Sequence, residues 1–334
     1  MSVAIGICML LFVLLMVFPF VPGWLEMRQK KDVRHLYING DFVRNPRYFS
    51  TSFKAKLLQA AGSLSSLQAT QAVMLSHEEV LVRADQHSKQ QEFSQVMCFM
   101  EPPALLPESV FKKEVYAKQS IRFPAQTLLR AAACEEDCRL GEKSRVVRWI
   151  DAEKQLDIAA DCELDLSATA GEKLFLARGC RFRRLYAPLI AIAGGVPVEK
   201  PFPQEAGAAV RKVYRDLDHI EAAKTLVGDV IAKGDFMLET DAVLLGNLKV
   251  YGKLLLAAGA RIHGNVFSEK IVQLAGNNWI YGSVFTQGNV AAGPDCTFGH
   301  AGAIESVVAR QQIAFLARTI IYGFVLTEGE GSVL

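Results

Sequence analysis

The feature that most constrains the fold is a repeat of 18 residues in the C-terminal part of the chain. Residues 261–270, RIHGNVFSEK, and residues 279–288, WIYGSVFTQG, match position by position. Apolar residues recur at this interval in three columns: Leu244, Ile262, Ile280 and Phe298; Leu254, Val272 and Val290; Leu256, Leu274 and Ala292. Within each copy, apolar and polar residues alternate, which is typical of strands. A fixed longer period predicts a repeat architecture.

The physical interpretation is a coil in which each turn of chain makes three short strands of about six residues, with successive turns stacked about 4.8 Å apart. A single turn cannot bury its apolar side, but a stack of turns can. Gly246, Gly264 and Gly282 share one column, where a corner favours a residue without Cβ. A weaker form of the repeat, with spacings of 17, 18, 18 and 16, aligns residues 121–123, 138–140, 156–158, 174–176 and 190–192.

The repeat therefore predicts a mainly β chain whose β-helix, a β-solenoid of 18-residue turns, covers residues 113–326. The register breaks over residues 196–227, which are rich in proline and then in charge, so we expect an insertion that protrudes from one face. We also expect a short helix within residues 206–225. Residues 26–112 form a small α/β segment in this interpretation, and residues 327–334 form a C-terminal tail.

The N-terminal segment predicts a membrane anchor. Residues 2–25 contain no charged side chain and are long enough to cross a bilayer as one helix. Four basic residues follow at once: Arg28, Lys30, Lys31 and Arg34. The positive-inside rule places this basic side, and residues 26–334 with it, in the cytoplasm. These four side chains are also candidates for contact with acidic headgroups.

Charge and cysteine usage exclude several classes of protein. The formal net charge of +2 among 334 residues gives no general attraction to nucleic acid. The seven cysteines are odd in number and include no Cys-x-x-Cys pair, which argues against a disulfide framework or a zinc site. Such usage indicates a reducing compartment. Cys162 and Cys180 are 18 residues apart, so we expect them to stack as small buried side chains.

The same register predicts charge pairs between turns. Glu163 should lie over Arg181, and Asp165 over Arg183, on the outward side of the coil. Four arginines then form a basic strip that is a candidate contact for an acidic partner or an anionic glycan: Arg178, Arg181, Arg183 and Arg184. The alternative is a solvated face whose arginines are neutralised by the acids of the turn below.

Residues 246–293, with runs such as ARIHGNVFSEKIVQLAGNNWIYGSV, resemble the bactofilins, the polymer-forming cytoskeletal proteins of bacteria. The resemblance implies a right-handed parallel β-helix with three faces. It also implies self-association through the ends of the helix, without nucleotide, and recruitment of envelope machinery at the bacterial inner membrane. Some membrane-anchored relatives accompany exopolysaccharide synthases and exporters, so the resemblance favours a glycosyltransferase or an exporter as partner.

The chain departs from that family in three respects. A full membrane span replaces a short anchoring tail, about 85 residues precede the β-helix, and an insertion interrupts it. A folded N-terminal unit would block one end of the stack. A capped scaffold that does not form filaments is therefore an alternative to a polymer.

Two enzymatic alternatives were weighed against the scaffold. A six-residue rhythm of aliphatics is typical of hexapeptide acyltransferases, which need a general base such as His263 or His300. Neither histidine has a carboxylate at an orienting position in sequence. A polysaccharide lyase or hydrolase needs aligned carboxylates, yet Glu239, Asp241 and Asp295 occupy different columns. No nucleotide-binding loop occurs. We therefore expect a protein without catalytic residues, cofactor or metal.

Overall fold

The computed structural model describes residues 2–22, 24–25, 45–62, 72–75, 78–83, 91–197, 212–215 and 217–334. The chain divides into two units, Met1–Arg44 and Asn45–Leu334. In the first unit, helix α1 spans Ser2–Val17 and a 3-10 helix spans Phe18–Phe20. Pro19 explains the change of helix type, because proline disfavours the α conformation in the residue before it. The apolar side chains of this segment are exposed, as Leu15 and Phe20 illustrate.

The predicted span over residues 2–25 is therefore not one uniform helix. Helix α1 has only 16 residues. Across the described part of the chain, no helix combines the length and the apolar character that crossing a membrane requires. The basic residues at 28, 30, 31 and 34 lie outside the described residues.

The second unit begins with helix α2, Tyr48–Ala61, near the turn predicted at Asn45. The Asn45 side chain accepts a hydrogen bond from the backbone N–H of Arg47, 2.9 Å away, and Gly62 follows the helix with a φ of 77°. Strands β1, Ala72–Leu75, and β2, Glu78–Arg83, form an antiparallel hairpin. These elements confirm the mixed character expected of this region.

A first coil follows. Its strands are β3 Glu92–Phe93, β4 Val96–Phe99, β5 Val110–Ala117, β6 Ile121–Phe123, β7 Leu128–Cys134, β8 Cys138–Leu140, β9 Arg145–Ala152, β10 Gln155–Ile158, β11 Glu163–Leu164, β12 Ser167–Ala170, β13 Lys173–Leu176 and β14 Arg181–Ile192. Each pairs in parallel with the equivalent strand of the next turn, and β2 pairs in parallel with β4. The predicted column that joins Cys138, Leu156, Leu174 and Ile190 is confirmed. The coil starts earlier than residue 113, because β3 already pairs with β5.

A second coil contains the strict repeat. Its strands are β15 Val213–Tyr214, β16 His219–Ile220, β17 Thr225–Val227, β18 Asp229–Ala232, β19 Phe236–Leu238, β20 Val243–Leu245, β21 Leu248–Val250, β22 Leu254–Leu256, β23 Arg261–Ile262, β24 Val266–Ser268, β25 Val272–Leu274, β26 Trp279–Ile280, β27 Val284–Thr286, β28 Val290–Ala292, β29 Cys296–Phe298, β30 Glu305–Ala309, β31 Ile313–Phe315 and β32 Thr319–Val333. From β15 to β28, each strand pairs with the strand three places further on. The two coils together make a β-solenoid of about 13 turns.

The inward columns lie where the repeat predicts them. Leu244, Ile262, Ile280 and Phe298 are in register in successive turns, and each is fully buried. At one corner the backbones approach closely, because a Cβ on Gly264 would meet the carbonyl group of Gly246. Only glycine fits such an approach without moving the turn. The 18-residue repeat is thus the spacing of one complete turn.

The two coils meet at their C-terminal turns. Strand β14 ends the first coil and pairs antiparallel with β32, which ends the second. The core continues across this seam, where the rings of Phe182 and Phe315 stack with centroids 6.0 Å apart. Two coils of the same hand that approach from opposite directions run antiparallel where they meet. The two coils therefore share one hand.

This seam corrects three expectations. Residues 213–227 are not part of an insertion, because β15, β16 and β17 form the first turn of the second coil and pair with β18, β19 and β20. The helix expected within 206–225 is absent from the described residues 217–225. Residues 327–334 are not a free tail, because β32 continues to Val333 and pairs with β31. The strand near Ile320, expected either to expose an edge or to be covered, is covered by the first coil.

Candidate interaction surfaces

The four predicted arginines lie at or beside the seam, and they do not form one basic strip. Arg181 lies in register with Glu163, as predicted, with Nη1 3.6 Å from the carboxylate. Asp165, however, accepts two hydrogen bonds from Arg145, at 3.0 and 2.8 Å, and not from Arg183. These pairs are exposed, so each contributes no more than about 1 kcal/mol. They form a ladder of alternating charge.

A cavity of about 380 Å³ opens where the seam loses its register. Strands β14 and β32 shift relative to each other between Phe182 and Arg184. The lining side chains include two of the arginines and three carboxylates: Arg181, Arg183, Glu163, Asp165 and Glu330. The cavity is therefore mixed in charge and does not resemble an anion site.

The other two arginines are apart from this cavity. Arg178 is exposed on a corner. Arg184 is half-buried, and its guanidinium carbon lies 5.9 Å from the ring centroid of Phe324. The alternative of a face neutralised by its own acids therefore describes Arg181 better than a common binding strip does.

An outward apolar strip runs along the second coil, one residue per turn. Phe267, Phe285, Val308 and Leu326 are in register on β24, β27, β30 and β32. The rings of Phe267 and Phe285 stack at 5.6 Å, and Phe285 is 43% exposed. Lys249 continues the column, with its ammonium 5.6 Å from the Phe267 centroid. Sequence reasoning treated these positions as ordinary outward residues, although their 18-residue spacing could have revealed the strip.

Helix α2 is fastened to the first coil by a buried carboxylate. Asp151 is 1% exposed although it points outward from β9. It accepts hydrogen bonds from Arg47 Nε and Nη2 at 2.8 and 2.9 Å, from Ser50 Oγ at 2.7 Å and from Thr169 Oγ1 at 2.6 Å. We call this group the α2 clamp. It joins residues about one hundred positions apart, and no sequence motif announces it.

Charges around the α2 clamp support one another. Glu153 lies 2.9 Å from Arg47 Nη2 and 2.5 Å from Lys54 Nζ. Burial alone would raise the pKa of Glu153, but the hydrogen bond from Lys54 and the charge of Arg47 lower it below its usual range. Phe53 and Leu57 of the same helix pack on Trp149 and on small outward residues of the coil. The helix is thus held by both charge and apolar contact.

The histidines weighed as catalytic bases lie in an aromatic stack. His263 and His300 lie on either side of Tyr281, with ring centroids at 4.7 and 4.0 Å. His300 Nδ1 is 3.0 Å from the carbonyl oxygen of Ala301. Within the described residues, no group of three or more His, Cys, Asp or Glu side chains could hold a metal ion.

Six of the cysteines are buried and all seven are free thiols. Cys162 and Cys180 occupy consecutive turns, and each thiol points to a backbone carbonyl, at 3.2 and 3.1 Å. Burial raises the pKa of Cys98 to about 12 and that of Cys296 to about 11. Thiols of this kind are poor nucleophiles. They act as small core side chains, as the sequence predicts.

The first turn of the second coil is a bare end. Strands β15, β16 and β17 each pair with one neighbour, and no other described strand pairs with their opposite edges. Val213 is 44% exposed and Val227 is 58% exposed, while the inward Tyr214 and Leu226 are only half-buried. An apolar core therefore reaches the surface at this end.

Comparison of the chain with protein families, with curated proteins and with solved structures found no match.

Proposed function

We propose that this protein is a bactofilin-like β-solenoid scaffold that is attached to a membrane and holds envelope machinery in place. The observation that carries the proposal is the outward apolar strip of Phe267, Phe285, Val308 and Leu326 on a long ladder of paired strands. Contiguous apolar surface on a soluble-type fold marks an interaction site. The coil supplies a rigid support, because its interior strands pair on both edges.

The remaining parts of the proposal come from the sequence. The coil is right-handed with three faces, as the bactofilin resemblance implies. The apolar residues of α1 and the basic residues at 28, 30, 31 and 34 attach the chain to the bacterial inner membrane, with the coils in the cytoplasm. The partner is a glycosyltransferase or an exporter of exopolysaccharide. The alternative is an acyltransferase of the hexapeptide type that uses His263 or His300.

Deletion of the partner strip tests this function. In the double variant Phe285→Asp, Val308→Asp, two charges occupy the strip without entering the core, because both side chains point outward from their strands. We expect the variant to melt like the wild type and to lose its envelope partners in a pull-down from detergent-solubilised membranes, read by mass spectrometry. Gln273→Asp, an exposed change on another column of the same coil, is the matched control.

Three results would argue against the proposal. Unchanged co-purification of partners with the double variant would remove the strip as the docking surface. Partners unrelated to the envelope would remove the assigned role. Turnover of an acyl-CoA by the purified protein, lost in His263→Ala or His300→Ala, would favour the acyltransferase.

A further inference from the structure

The bare end of the second coil has the geometry to pair with the same end of another copy. The free edge can be assigned from the bonds inside the coil. The backbone carbonyl of Lys224 accepts from Val243 N–H, and Gly228 N–H donates to the carbonyl of Leu245. Alternate residues of a strand direct their polar groups to opposite edges, so Thr225 and Val227 direct theirs away from the coil.

The same rule applies to the other two strands of this turn. The carbonyls of Asp218 and Ile220 accept from the next turn, which leaves the backbone groups of His219 on the free edge. The carbonyl of Lys212 also accepts from the next turn, so Val213 lies on the free edge. One row of donors and acceptors thus follows three strands around an exposed apolar end. Such an edge favours pairing with another chain.

The seam between the two coils shows how an end of this kind closes. There, two terminal turns of the same hand meet end on, run antiparallel and bury a continuous core. Two copies that bring their bare ends together would also have the same hand, so they would also run antiparallel. An antiparallel contact between identical turns has two-fold symmetry.

One alignment places all three strands of the turn opposite strands. Ile220 then lies opposite Ile220 of the second copy, Val213 lies opposite Val227, and Tyr214 lies opposite Leu226. Residues of the free edge meet residues of the free edge, and inward side chains meet inward side chains. The alignment also sets His219, an exposed and basic group, opposite the exposed Glu221.

We propose that two copies of this chain associate through residues 212–228 into a closed pair with an antiparallel seam. The pair does not extend into a filament, because the opposite end of the molecule ends differently. There, β2 covers β4 and the antiparallel strand β1 follows β2, so that end does not present a turn of the coil. The inference deepens the scaffold function proposed above, to which it adds a partner, but its test is independent of envelope enzymes.

The test uses the full chain in detergent, in a Cys8→Ser background that removes the exposed thiol. Ile220→Cys places a thiol on the two-fold axis, in a non-hydrogen-bonded pair whose Cα atoms are about 4.5 Å apart, which suits a disulfide. We expect oxidised glutathione to cross-link Ile220→Cys into a covalent pair that a reductant separates. Leu238→Cys, in the same column one turn inward, is the control that should remain single.

A second variant tests the edge without a new thiol. Val227→Pro removes an N–H from the free edge only, whereas Val227→Thr retains it. By native mass spectrometry we expect two copies for the wild type and for Val227→Thr. We expect association weakened about a hundredfold or more for Val227→Pro, with an unchanged melting temperature.

The proposal is overturned if the wild type is single at micromolar concentration, if it forms filaments, if Val227→Pro still pairs, or if Leu238→Cys cross-links as well as Ile220→Cys. Loss of pairing with envelope partners retained would remove this inference and leave the scaffold function intact. Pairing without any envelope partner would do the opposite.

Discussion

Removal of the buried carboxylate of Asp151 should release helix α2 while the coil remains folded. In Asp151→Ala, Arg47 loses two hydrogen bonds of 2.8 and 2.9 Å, and Ser50 loses its bond of 2.7 Å. Breaking a buried ion pair by removing one partner costs about 3–5 kcal/mol. The lower value applies here, because Arg47 keeps Glu153 at 2.9 Å.

This cost is large beside the other contacts that hold α2. Phe53 and Leu57, which are 9% and 0% exposed, contribute about 1.5–3 kcal/mol each by burial. A helix of 14 residues is marginal alone in water. A loss of about 3 kcal/mol should therefore raise local opening of α2 about a hundredfold, since 1.36 kcal/mol is tenfold.

Native-state hydrogen exchange followed by mass spectrometry measures this opening directly. Peptides within 48–61 should lose about two orders of magnitude of protection, and peptides within 121–192 should keep theirs. Asp165→Ala is the matched control, because Asp165 also accepts two bonds from one arginine but is exposed. Equal effects of the two substitutions, or loss of protection throughout the first coil, would refute the reasoning.

Three further outcomes follow from the same structure. Val284→Asp should lower the melting temperature strongly and disturb the adjoining turns, because it buries an unpaired charge where Val284 is fully buried; Phe285→Asp, the exposed neighbour, should have little effect in the same circular dichroism melt. Acidification should loosen α2: the folded state lowers the pKa of Glu153, so its contribution is present above the usual glutamate value of about 4.3 and is lost as pH falls below it, which hydrogen exchange at pH 3 and pH 6 can compare after correction for intrinsic rates. Phe182→Ala should weaken the seam by about 3–5 kcal/mol and expose amides of β14 and β32 before those of β22, measured by the same exchange method.

The inward columns of both coils could be predicted from the sequence. Leu244 and Ile262 repeat at the length of one turn because each inward side chain is covered only by its copies above and below. The register of Glu163 with Arg181 follows from the same count. Burial of the cysteines could also be predicted, because they occupy inward positions of an apolar-rich repeat.

The contacts that occur once could not be predicted. Asp151 and Arg47 are 104 residues apart, and neither belongs to a repeated column. The partner strip of Phe267 and Phe285 was visible in the spacing, but only burial shows that these rings remain exposed. Pairing of basic and acidic side chains in the seam likewise depends on which turn faces which.

The sequence by itself determined that this chain coils in 18-residue turns, because strand alternation and turn length are local properties that leave a period. Only the tertiary structure decided that residues 91–333 form two coils that meet at their C-terminal turns. The physical reason is that alternation in a strand is the same whether its neighbour runs parallel or antiparallel. The pattern therefore specifies which side chains of β14 and β32 are buried, and the packing of the two apolar ends selects the partner and its direction.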